Sequence, residues 1–534
     1  MKNPHRHSHA RAYYAALVTL GALSLAGCTS TSAPQTEQSG TPDEVAEVVE
    51  LAVAEATLEN VMAQNQRNHA EESDIDYEKS GATTISLSGT KADISGKGAS
   101  ASDGNVVINA EGTYILSGNY SGSIRVEAGD KDKVRLVLNG VSIETDSAAI
   151  NAVSGNELVV ILAEDTKNVL VDVQAEAHAQ AAAQESTSIE NSSSTPSGAI
   201  ESHIDTTIGG TGTLSLSGGA NALSCSDGLT IYSGTLNVTS IDDGIRGKDY
   251  VWIEGGDISI SAGGDAIQAT NDTEGERGFI YIADGMITVS KSDKAIDAVT
   301  DLVIAGGKLD VTSTDDSLEA AYILLVDGSA EVTSGDDPIN ARADSGNPWI
   351  SVLGGTWVLE GKGDGFDSNG AARIAGGSVS VFGPENGGNG AIDTATGLEM
   401  AGGTLFAIGS QGMDEGPALD SPQATVKFTG NFSAGSTITI SNSSGDVLAR
   451  YDNRTRGQSV FFSSPDIVTG QTYTISIDDN EVASGVAGSY AENRMDDPGT
   501  MGEDAFGGEP PAGGMPDGGM PDGGAPGMQP PTRP

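Results

Sequence analysis

A glycine-containing turn recurs about every 22 residues through the middle of the sequence. The turns are Ser233-Gly234, Gly255-Gly256, Asp284-Gly285, Gly306-Gly307, Asp327-Gly328, Gly354-Gly355, Gly376-Gly377 and Gly402-Gly403. Apolar residues flank each turn with a spacing of two, as Leu229 and Ile231 do before the first turn. That spacing is the period of a β-strand with one buried face. Because one such unit cannot bury its own inner face, the repeat predicts coils that stack around a continuous core.

A further apolar column predicts a third strand in each coil. Its members are Ile150, Ile200, Leu223, Ile245, Ile267, Ile296, Leu318, Ile339, Phe366, Ile392 and Leu419. No segment between the turns has the pattern of the crossover helices that parallel strands of globular α/β folds need. We therefore predict an all-β fold, a parallel β-helix over residues 82–424, with an insertion loop at residues 172–197 that separates Ile150 from Ile200.

The start of the sequence predicts an exported and lipid-anchored protein. Residues 1–28 combine a basic beginning with an apolar stretch that is too short to span a bilayer. They end in Leu25-Ala26-Gly27-Cys28, which resembles a bacterial lipobox, so Cys28 is the candidate lipidation site. An ordinary signal peptide with a chance cysteine is the alternative. The lipid would be the only membrane contact and would place the protein on the extracytoplasmic side of the bacterial cell membrane.

The other flanking segments have compositions of their own. Residues 29–81 hold a Ser/Thr/Pro-rich tether, then a stretch from Asp43 to Gln66 with helical spacing. We interpret that stretch as a stalk helix or as a cap on the end of the solenoid. Residues 425–490 contain paired short strands and predict a small β module. Residues 491–534 are rich in Gly, Pro and Met, and this composition predicts disorder.

The charge balance is strongly acidic. The chain contains 75 Asp and Glu residues against 27 Lys and Arg residues, a formal net charge of −48. Affinity for nucleic acid comes largely from Lys and Arg meeting phosphates, so a nucleic-acid partner is not expected. The balance favours cations, or an anionic ligand that cations bridge, while a solvated halophile-like surface is the alternative. The sequence indicates no obvious protein partner.

The acidic residues cluster around the third apolar column. Two residues before six of the column members, Ile245 to Phe366, stand Asp243, Asp265, Lys294, Asp316, Asp337 and Asp364. One residue after each column member stand Asn151, Glu201, Ser224, Arg246, Gln268, Asp297, Glu319, Asn340, Asp367, Asp393 and Asp420. The doublets Asp242-Asp243, Asp315-Asp316 and Asp336-Asp337 add further oxygens. Strands in neighbouring coils lie about 4.8 Å apart, so these carboxylates would repel one another by roughly 1 kcal/mol per pair in water.

Such a row of carboxylates is a candidate calcium site. Ca²⁺ takes six to eight oxygen ligands, and neighbouring coils would supply them, whereas histidine and cysteine are too scarce for zinc. The candidate metal-ligating residues are Asp242, Asp243, Asp265, Asp297, Asp315, Asp316, Glu319, Asp336, Asp337, Asn340, Asp364, Asp367 and Asp393. The alternative is structural, because Asp-Gly and Asp-Asp sequences are ordinary turn formers and acidic surfaces keep solenoids soluble.

Outward-facing aromatic residues on the first strand of successive coils form a second candidate site. They are Tyr250, Trp252, Tyr281, Tyr322 and Trp349. In a chain with only 4% aromatic residues, this stripe is a candidate sugar-stacking or partner surface. The alternative is that another part of the chain, such as the C-terminal module, covers it.

Three adjacent segments carry a family resemblance. They are VVINAEGTYILSGNYSGSIRV, VRLVLNGVSIETDSAAI and LVVILAEDTKNVLVDV, and the Asp-rich Gly-Gly coils follow them. Together they resemble the bacterial carbohydrate-binding domain-containing lipoproteins of parallel β-helix fold, a family similar to pectate lyases, over about residues 82–490. The resemblance implies right-handed coils, bound calcium and non-catalytic binding of acidic polysaccharide such as polygalacturonate or pectin. It places the calcium ligands on the acidic turn positions only as a class.

Three functions follow from these features. The first is a surface-anchored protein that binds acidic polysaccharide through calcium without catalysis. The second is a calcium-dependent polysaccharide lyase, for which Lys294, Arg246 and Arg342 are candidate bases, although cations among carboxylates ordinarily stay protonated in ion pairs. The third is a structural adhesin in which calcium only makes the coils rigid.

Overall fold

The fold is a β-solenoid. The computed structural model describes residues 51–68, 70–102, 104–173, 198–343 and 346–488. Within these residues the strands form a 26-stranded sheet, a 13-stranded sheet and a four-stranded sheet. The chain is an all-β parallel β-helix of about 12 turns, which confirms the predicted fold class. The signal segment with Cys28, the predicted insertion loop beyond Val173 and the predicted disordered tail lie outside the described residues.

The N-terminal region holds three short helices and ten strands. The helices are a 3-10 turn at Val53–Glu55, α1 (Leu58–Met62) and a 3-10 turn at Glu72–Ile75. The strands are β1 (Thr83–Gly89), β2 (Lys91–Ser95), β3 (Ala99–Ser102), β4 (Asn105–Ile108), β5 (Gly112–Tyr120), β6 (Ile124–Glu127), β7 (Lys133–Thr145), β8 (Ile150–Ser154), β9 (Glu157–Leu162) and β10 (Lys167–Asp172). Among the described residues no helix is long and apolar enough to cross a lipid bilayer.

The central coils each contribute three strands. They are β11 (Gly198–Ser202), β12 (Asp205–Gly210), β13 (Thr213–Gly218), β14 (Asn221–Cys225), β15 (Gly228–Ile231), β16 (Thr235–Ser240), β17 (Ile245–Gly247), β18 (Tyr250–Ile253), β19 (Asp257–Ser261), β20 (Ile267–Ala269), β21 (Phe279–Ile282), β22 (Met286–Lys291), β23 (Ile296–Ala298), β24 (Asp301–Ile304), β25 (Lys308–Thr312), β26 (Leu318–Ala320), β27 (Tyr322–Leu325), β28 (Ser329–Thr333), β29 (Ile339–Ala341), β30 (Trp349–Val352), β31 (Thr356–Glu360), β32 (Asp367–Ser368), β33 (Ala371–Ile374), β34 (Ser378–Phe382), β35 (Asp393–Thr394), β36 (Leu398–Met400) and β37 (Thr404–Gly409). Equivalent strands of successive coils pair in parallel, so each coil places its residues directly over those of the coil before it.

The predicted apolar columns form the core. Column members such as Ile231, Ile267 and Phe366 are fully buried. The turn glycines are required sterically: Gly307 has a φ of +84°, and a Cβ there would lie 2.8 Å from the carbonyl oxygen of Gly285 in the preceding coil. Leu419 is the exception, because its side chain is 45% exposed. The prediction that Leu419 and Asp420 continue the third column is wrong.

The reason lies in how the solenoid ends. The last six strands are β38 (Thr425–Phe432), β39 (Thr437–Asn442), β40 (Val447–Asp452), β41 (Gly457–Ser463), β42 (Thr472–Ile477) and β43 (Asn480–Val486). Strand β41 pairs antiparallel with both β37 and β38, so the long sheet continues into the C-terminal strands after the last coil. Phe406, Phe428 and Phe462 pack in a cluster at this junction. The antiparallel strands thereby cover an edge that would otherwise be open to other chains.

The segment before β1 runs along the side of the solenoid. Leu58 and Met62 of α1 pack against Val303, Leu324 and Trp349 on the outer face of the long sheet. The prediction that this segment caps an end of the solenoid is therefore wrong for its described residues. The described residues before β1 form one short helix and two 3-10 turns. Their apolar side chains pack against the outer face of the sheet and not against another helix.

Candidate functional site

The acidic residues gather in three rows at the corner between the second long-sheet strand and the short-sheet strand of each coil. The doublet row holds Asp242, Gly264, Asp293, Asp315, Asp336 and Gly363. The turn row holds Asp243, Asp265, Lys294, Asp316, Asp337 and Asp364. The outward row holds Arg246, Gln268, Asp297, Glu319, Asn340, Asp367 and Asp393. We call these rows the acidic corner, and it contains every residue predicted as a metal ligand.

The turn row is hydrogen-bonded from coil to coil. Asp243 Oδ1 accepts the backbone N–H of Asp265 at 3.1 Å, and Asp337 Oδ1 accepts that of Asp364 at 2.5 Å. In the preceding coil Asn221 makes the equivalent contact, where its Oδ1 accepts the N–H of Asp243 at 3.1 Å. One oxygen of each of these carboxylates therefore accepts a hydrogen bond from the backbone of the next coil. The spacing of the residues in the sequence does not reveal this structural role. The other oxygen of each carboxylate is left for a different contact.

Two aspartate doublets lie directly over a glycine of the next coil. A Cβ on Gly363 would lie 2.2 Å from Asp336 Oδ1 and 2.1 Å from Asp337 Oδ1. A Cβ on Gly264 would lie 2.7 Å from the Oδ1 atoms of Asp242 and of Asp243. Because no side chain fills these positions, the carboxylates of each doublet approach each other over the backbone. In the sequence, this arrangement corresponds to an Asp-Asp doublet followed one coil later by Gly-Asp. The columns of acidic residues alone do not reveal it.

The densest group of oxygens lies in the C-terminal half of the corner. Asp315, Asp316 and Asp336 each offer a carboxylate oxygen within 4.8 Å of the others. Asn340 Nδ2 donates to Asp316 Oδ2 at 2.9 Å. Glu319 Oε2 and Asn340 Oδ1 are buried and have no hydrogen-bond partner among the described residues. Since buried polar atoms are ordinarily satisfied, two orphaned acceptors beside three carboxylates fit a hard cation.

Burial and mutual repulsion raise the pKa of carboxyl groups in the corner. Burial, reinforced by Asp316, raises the pKa of Asp337 to about 8. Burial, reinforced by Asp393, raises the pKa of Asp367 to about 7. In the preceding coils, burial and the Asp242 charge raise the pKa of Asp243 to about 6. These groups are therefore costly to ionise unless positive charge is supplied.

Two of the candidate bases are held in ion pairs. Lys294 Nζ lies 2.8 Å from Glu319 Oε1 and 3.7 Å from Asp297 Oδ1. Burial favours its neutral form, but the hydrogen bond to Glu319 and the nearby carboxylates hold the pKa of Lys294 above its usual value. Arg342 Nε lies 3.4 Å from the same Glu319 oxygen. Arg246 lies beside the turn row, where its charge opposes the rise in the pKa of Asp243.

The aromatic stripe is covered by the N-terminal segment. Trp349 is 3% exposed, and its indole Nε1 donates to the carbonyl of Leu51 at 3.0 Å. Tyr250 is also buried. The rings of Trp252 and Tyr281 lie 4.1 Å apart, and those of Tyr322 and Trp349 lie 5.3 Å apart.

The covering segment also contributes an arginine. The Arg67 guanidinium lies 4.3 Å from the ring of Trp252 and donates to Tyr232 at 2.7 Å. The cover suggested from the sequence, the C-terminal module, is thus the wrong one. With residues 51–68 in place, the stripe is not an open sugar-stacking surface.

Comparison with known proteins adds a family and one structure. A family model described as "Carbohydrate-binding domain-containing protein" matches residues 102–324 and 301–477. A polysaccharide lyase-like protein from C. thermocellum, solved as a gadolinium derivative, is 25% identical at a TM-score of 0.39. The alignment covers 49% of this chain and 95% of that chain. No curated protein matches the chain.

Proposed function

This chain belongs to the family of carbohydrate-binding domain-containing proteins, and we propose that it binds an acidic polysaccharide, such as polygalacturonate or pectin, through calcium at the acidic corner. The observation that carries the proposal is the group of Asp315, Asp316 and Asp336 beside the orphaned oxygens of Glu319 and Asn340. A uronate polymer and this corner are both anionic. They would repel each other unless cations lay between them.

The donor set fits calcium. Carboxylate and amide oxygens are the ligands that Ca²⁺ takes, and Asp315, Asp316, Asp336, Glu319 and Asn340 would hold it. When bound, calcium supplies the positive charge that lets a uronate carboxylate approach the corner.

The chain's own residues hold the site in shape. Asp316 Oδ1 accepts the N–H of Asp337 at 3.1 Å, which fixes the carboxylate against the backbone. The regular stacking of coils then repeats the oxygens along the solenoid at about the strand spacing, 4.8 Å, so a linear polymer would meet them in succession.

The proposed activity is binding without catalysis. Lys294 and Arg342 form ion pairs with Glu319, so neither is a ready base for removing a proton from a uronate. The proposal includes lipid anchoring at Cys28 on the bacterial surface, where the solenoid would meet polysaccharide outside the cell.

The proposal is tested by binding of polygalacturonate with calcium and with excess chelator, measured by calorimetry on the full chain. We expect binding in calcium that becomes much weaker in chelator, while circular dichroism shows the β-fold unchanged. Asp315→Asn with Asp336→Asn should abolish the calcium-dependent binding. Tight binding in excess chelator by a folded protein would refute the calcium bridge.

The same preparation distinguishes the two alternative functions. Polygalacturonate incubated with the protein and calcium should yield no ultraviolet-absorbing unsaturated uronate, and its appearance would identify a lyase. A calcium-induced rise in melting temperature with no glycan bound on an array would instead indicate a structural adhesin.

A further inference from the structure

A cleft lies where the C-terminal strands meet the last coils of the solenoid. Its volume is about 440 Å³, within the range of about 300–1,000 Å³ typical of ligand pockets. The ends of β28, β31 and β34 and the turns after them form one wall, and the loop between β40 and β41 forms the other. We call it the seam cleft. The proposed calcium site does not include its lining residues.

Packing and ion pairs join the floor of the seam cleft to one of its walls. Phe382 is buried beneath it, and the Arg454 guanidinium lies 5.5 Å from the Phe382 ring. Arg454 also forms ion pairs with Glu331 at 2.8 Å and with Glu360 at 3.6 Å. This arginine therefore connects the C-terminal strands to the coils, and carboxylates of the protein balance its charge.

Lys362 differs from Arg454 in having no ion-pair partner in the part of the chain that the structure describes. It lines the same cleft and its side chain is exposed. Within the described residues it takes part in no ion pair. Its ammonium group is therefore not neutralised by a carboxylate of these residues. It gives the cleft a positive charge that is available to an anionic ligand. The exposed side chains of Thr333 and Asn386 add neutral polar groups suited to hydroxyls.

The seam cleft is continuous with the acidic corner. The backbone N–H of Lys362 donates to the carbonyl of Asp336 at 3.1 Å. Ser334 Oγ donates to the carbonyl of Asp315 at 2.5 Å and accepts the N–H of Asp336 at 3.1 Å. The cleft thus begins one hydrogen bond away from the residues proposed to hold calcium.

A second depression lies along the same seam. It has a volume of about 340 Å³ and shares Glu385 with the seam cleft. Arg456 is held there by Glu385, through an Nε contact of 3.1 Å to the carboxylate. The exposed amides of Asn431 and Gln458 line the rest. Amides both donate and accept, as sugar hydroxyls require.

We propose that the seam cleft is a second subsite for acidic polysaccharide, in which the Lys362 ammonium pairs directly with a uronate carboxylate and needs no metal. The inference rests on the proposed function for the identity of the polymer. The calcium site and the seam cleft then engage neighbouring stretches of one polymer by opposite means. At the corner a cation bridges two anions, and in the cleft the protein provides the cation.

The test is calorimetry of the full chain with hexagalacturonate. In calcium, Lys362→Gln should weaken binding by at least about fivefold, the effect of losing one charge-assisted contact. Lys308→Gln removes an exposed lysine from the outside of β25 and serves as the matched control, with binding unchanged. Fully methyl-esterified hexagalacturonate has no carboxylates, so it should bind the protein and the Lys362→Gln variant equally.

The outcomes separate this inference from the proposed function. Equal hexagalacturonate binding by the natural protein and by Lys362→Gln would overturn the subsite and leave the calcium bridge standing. Chelator-resistant binding that Lys362→Gln abolishes would support the subsite and overturn the calcium bridge. No binding by the natural protein in either condition would overturn both.

Discussion

The two halves of the acidic corner balance their negative charge in different ways. In the N-terminal half, residues 242–297, the turn row is interrupted by Lys294, which forms ion pairs with Asp297 and Glu319. In the C-terminal half, residues 315–393, Asp316, Asp337 and Asp364 follow one another without a basic residue. The turn row of the first half thus includes a cation of the protein, whereas the turn row of the second half consists of carboxylates alone.

The pKa values follow the same division. Burial and a neighbouring carboxylate raise the pKa of Asp243 to about 6, with Arg246 opposing the rise. Burial and Asp316 raise the pKa of Asp337 to about 8. Carboxylates at equivalent positions of successive coils therefore have different surroundings. What distinguishes the C-terminal half is the convergence of Asp315, Asp316 and Asp336, which form no ion pair within the described residues, although Glu319 beside them is paired with Lys294 and Arg342.

The largest expected difference is in calcium affinity. Asp315→Asn with Asp336→Asn replaces two carboxylates of the C-terminal half with neutral amides and should weaken calcium binding roughly a hundredfold, at about tenfold for each negative charge lost. Asp242→Asn with Asp293→Asn makes the same change in the doublet row of the N-terminal half and should alter affinity less than about threefold. Calorimetric titration with calcium measures both. Equal losses would show that the two halves do not differ as cation sites.

The next effect concerns Lys294. Lys294→Met leaves Glu319 and Asp297 without their ammonium partner and should lower the free energy of unfolding in chelator by about 2 kcal/mol. Calcium should then recover some of the loss, because the N-terminal half would now resemble the C-terminal half. Denaturant unfolding with and without calcium measures this. Lys308→Met, at an exposed lysine, is the control and should change stability by less than about 0.5 kcal/mol. An unchanged midpoint for Lys294→Met in chelator would contradict the role assigned to this lysine.

A smaller effect is expected at the glycines beneath the doublets. Gly363→Ala would put a methyl 2.1 Å from Asp337 Oδ1 and should push the C-terminal carboxylates apart, weakening calcium binding about tenfold. Gly264→Ala meets the corresponding atoms at 2.7 Å and should leave calcium binding nearly unchanged. Calcium titration of the two variants, after their melting temperatures are compared, is the measurement. If Gly363→Ala binds calcium normally, the approach of the two carboxylates over this glycine does not matter for the site.

A further effect is expected on the pH dependence of stability. The pKa of Asp337 is about 8 in the folded protein against a usual value of 3.8, so folding favours its protonated form. The stabilisation is therefore complete below about pH 4 and is lost as the pH rises toward about 8. In chelator, Asp337→Asn should make the fall in stability across this window shallower, and Asp243→Asn should change it mainly below about pH 6. Denaturant midpoints across the range provide the check, and identical slopes for both variants would remove the distinction between the halves.

Much of the molecule could be predicted from its repeat. The alternation of apolar residues around each turn is local, and parallel stacking then places equivalent residues together. Their spacing alone therefore predicts that Asp297, Glu319 and Asn340 are neighbours, as they are. Where the repeat stops, prediction fails. Leu419 continues the spacing but not the fold, because β41 pairs with β37 and ends the stack there.

The contacts that cover the aromatic stripe also could not be predicted from the sequence. The Trp349 indole meets the carbonyl of Leu51 across 298 positions of chain. No periodicity relates the two residues, so the spacing of the aromatic stripe does not show that it is covered. The same limit applies to Lys362, whose place in the seam cleft depends on a loop more than 90 positions later, at Arg454 and Thr455.

The sequence by itself determined the solenoid and the rows of acidic side chains at one corner, because both arise from a short repeat that each coil applies to the next. Only the tertiary structure decided which carboxylates converge, which are neutralised and which surfaces are covered. Those outcomes depend on single residues such as Lys294 and Gly363, and on contacts between distant segments. Their energies come from burial and charge in three dimensions, which a repeating pattern does not encode.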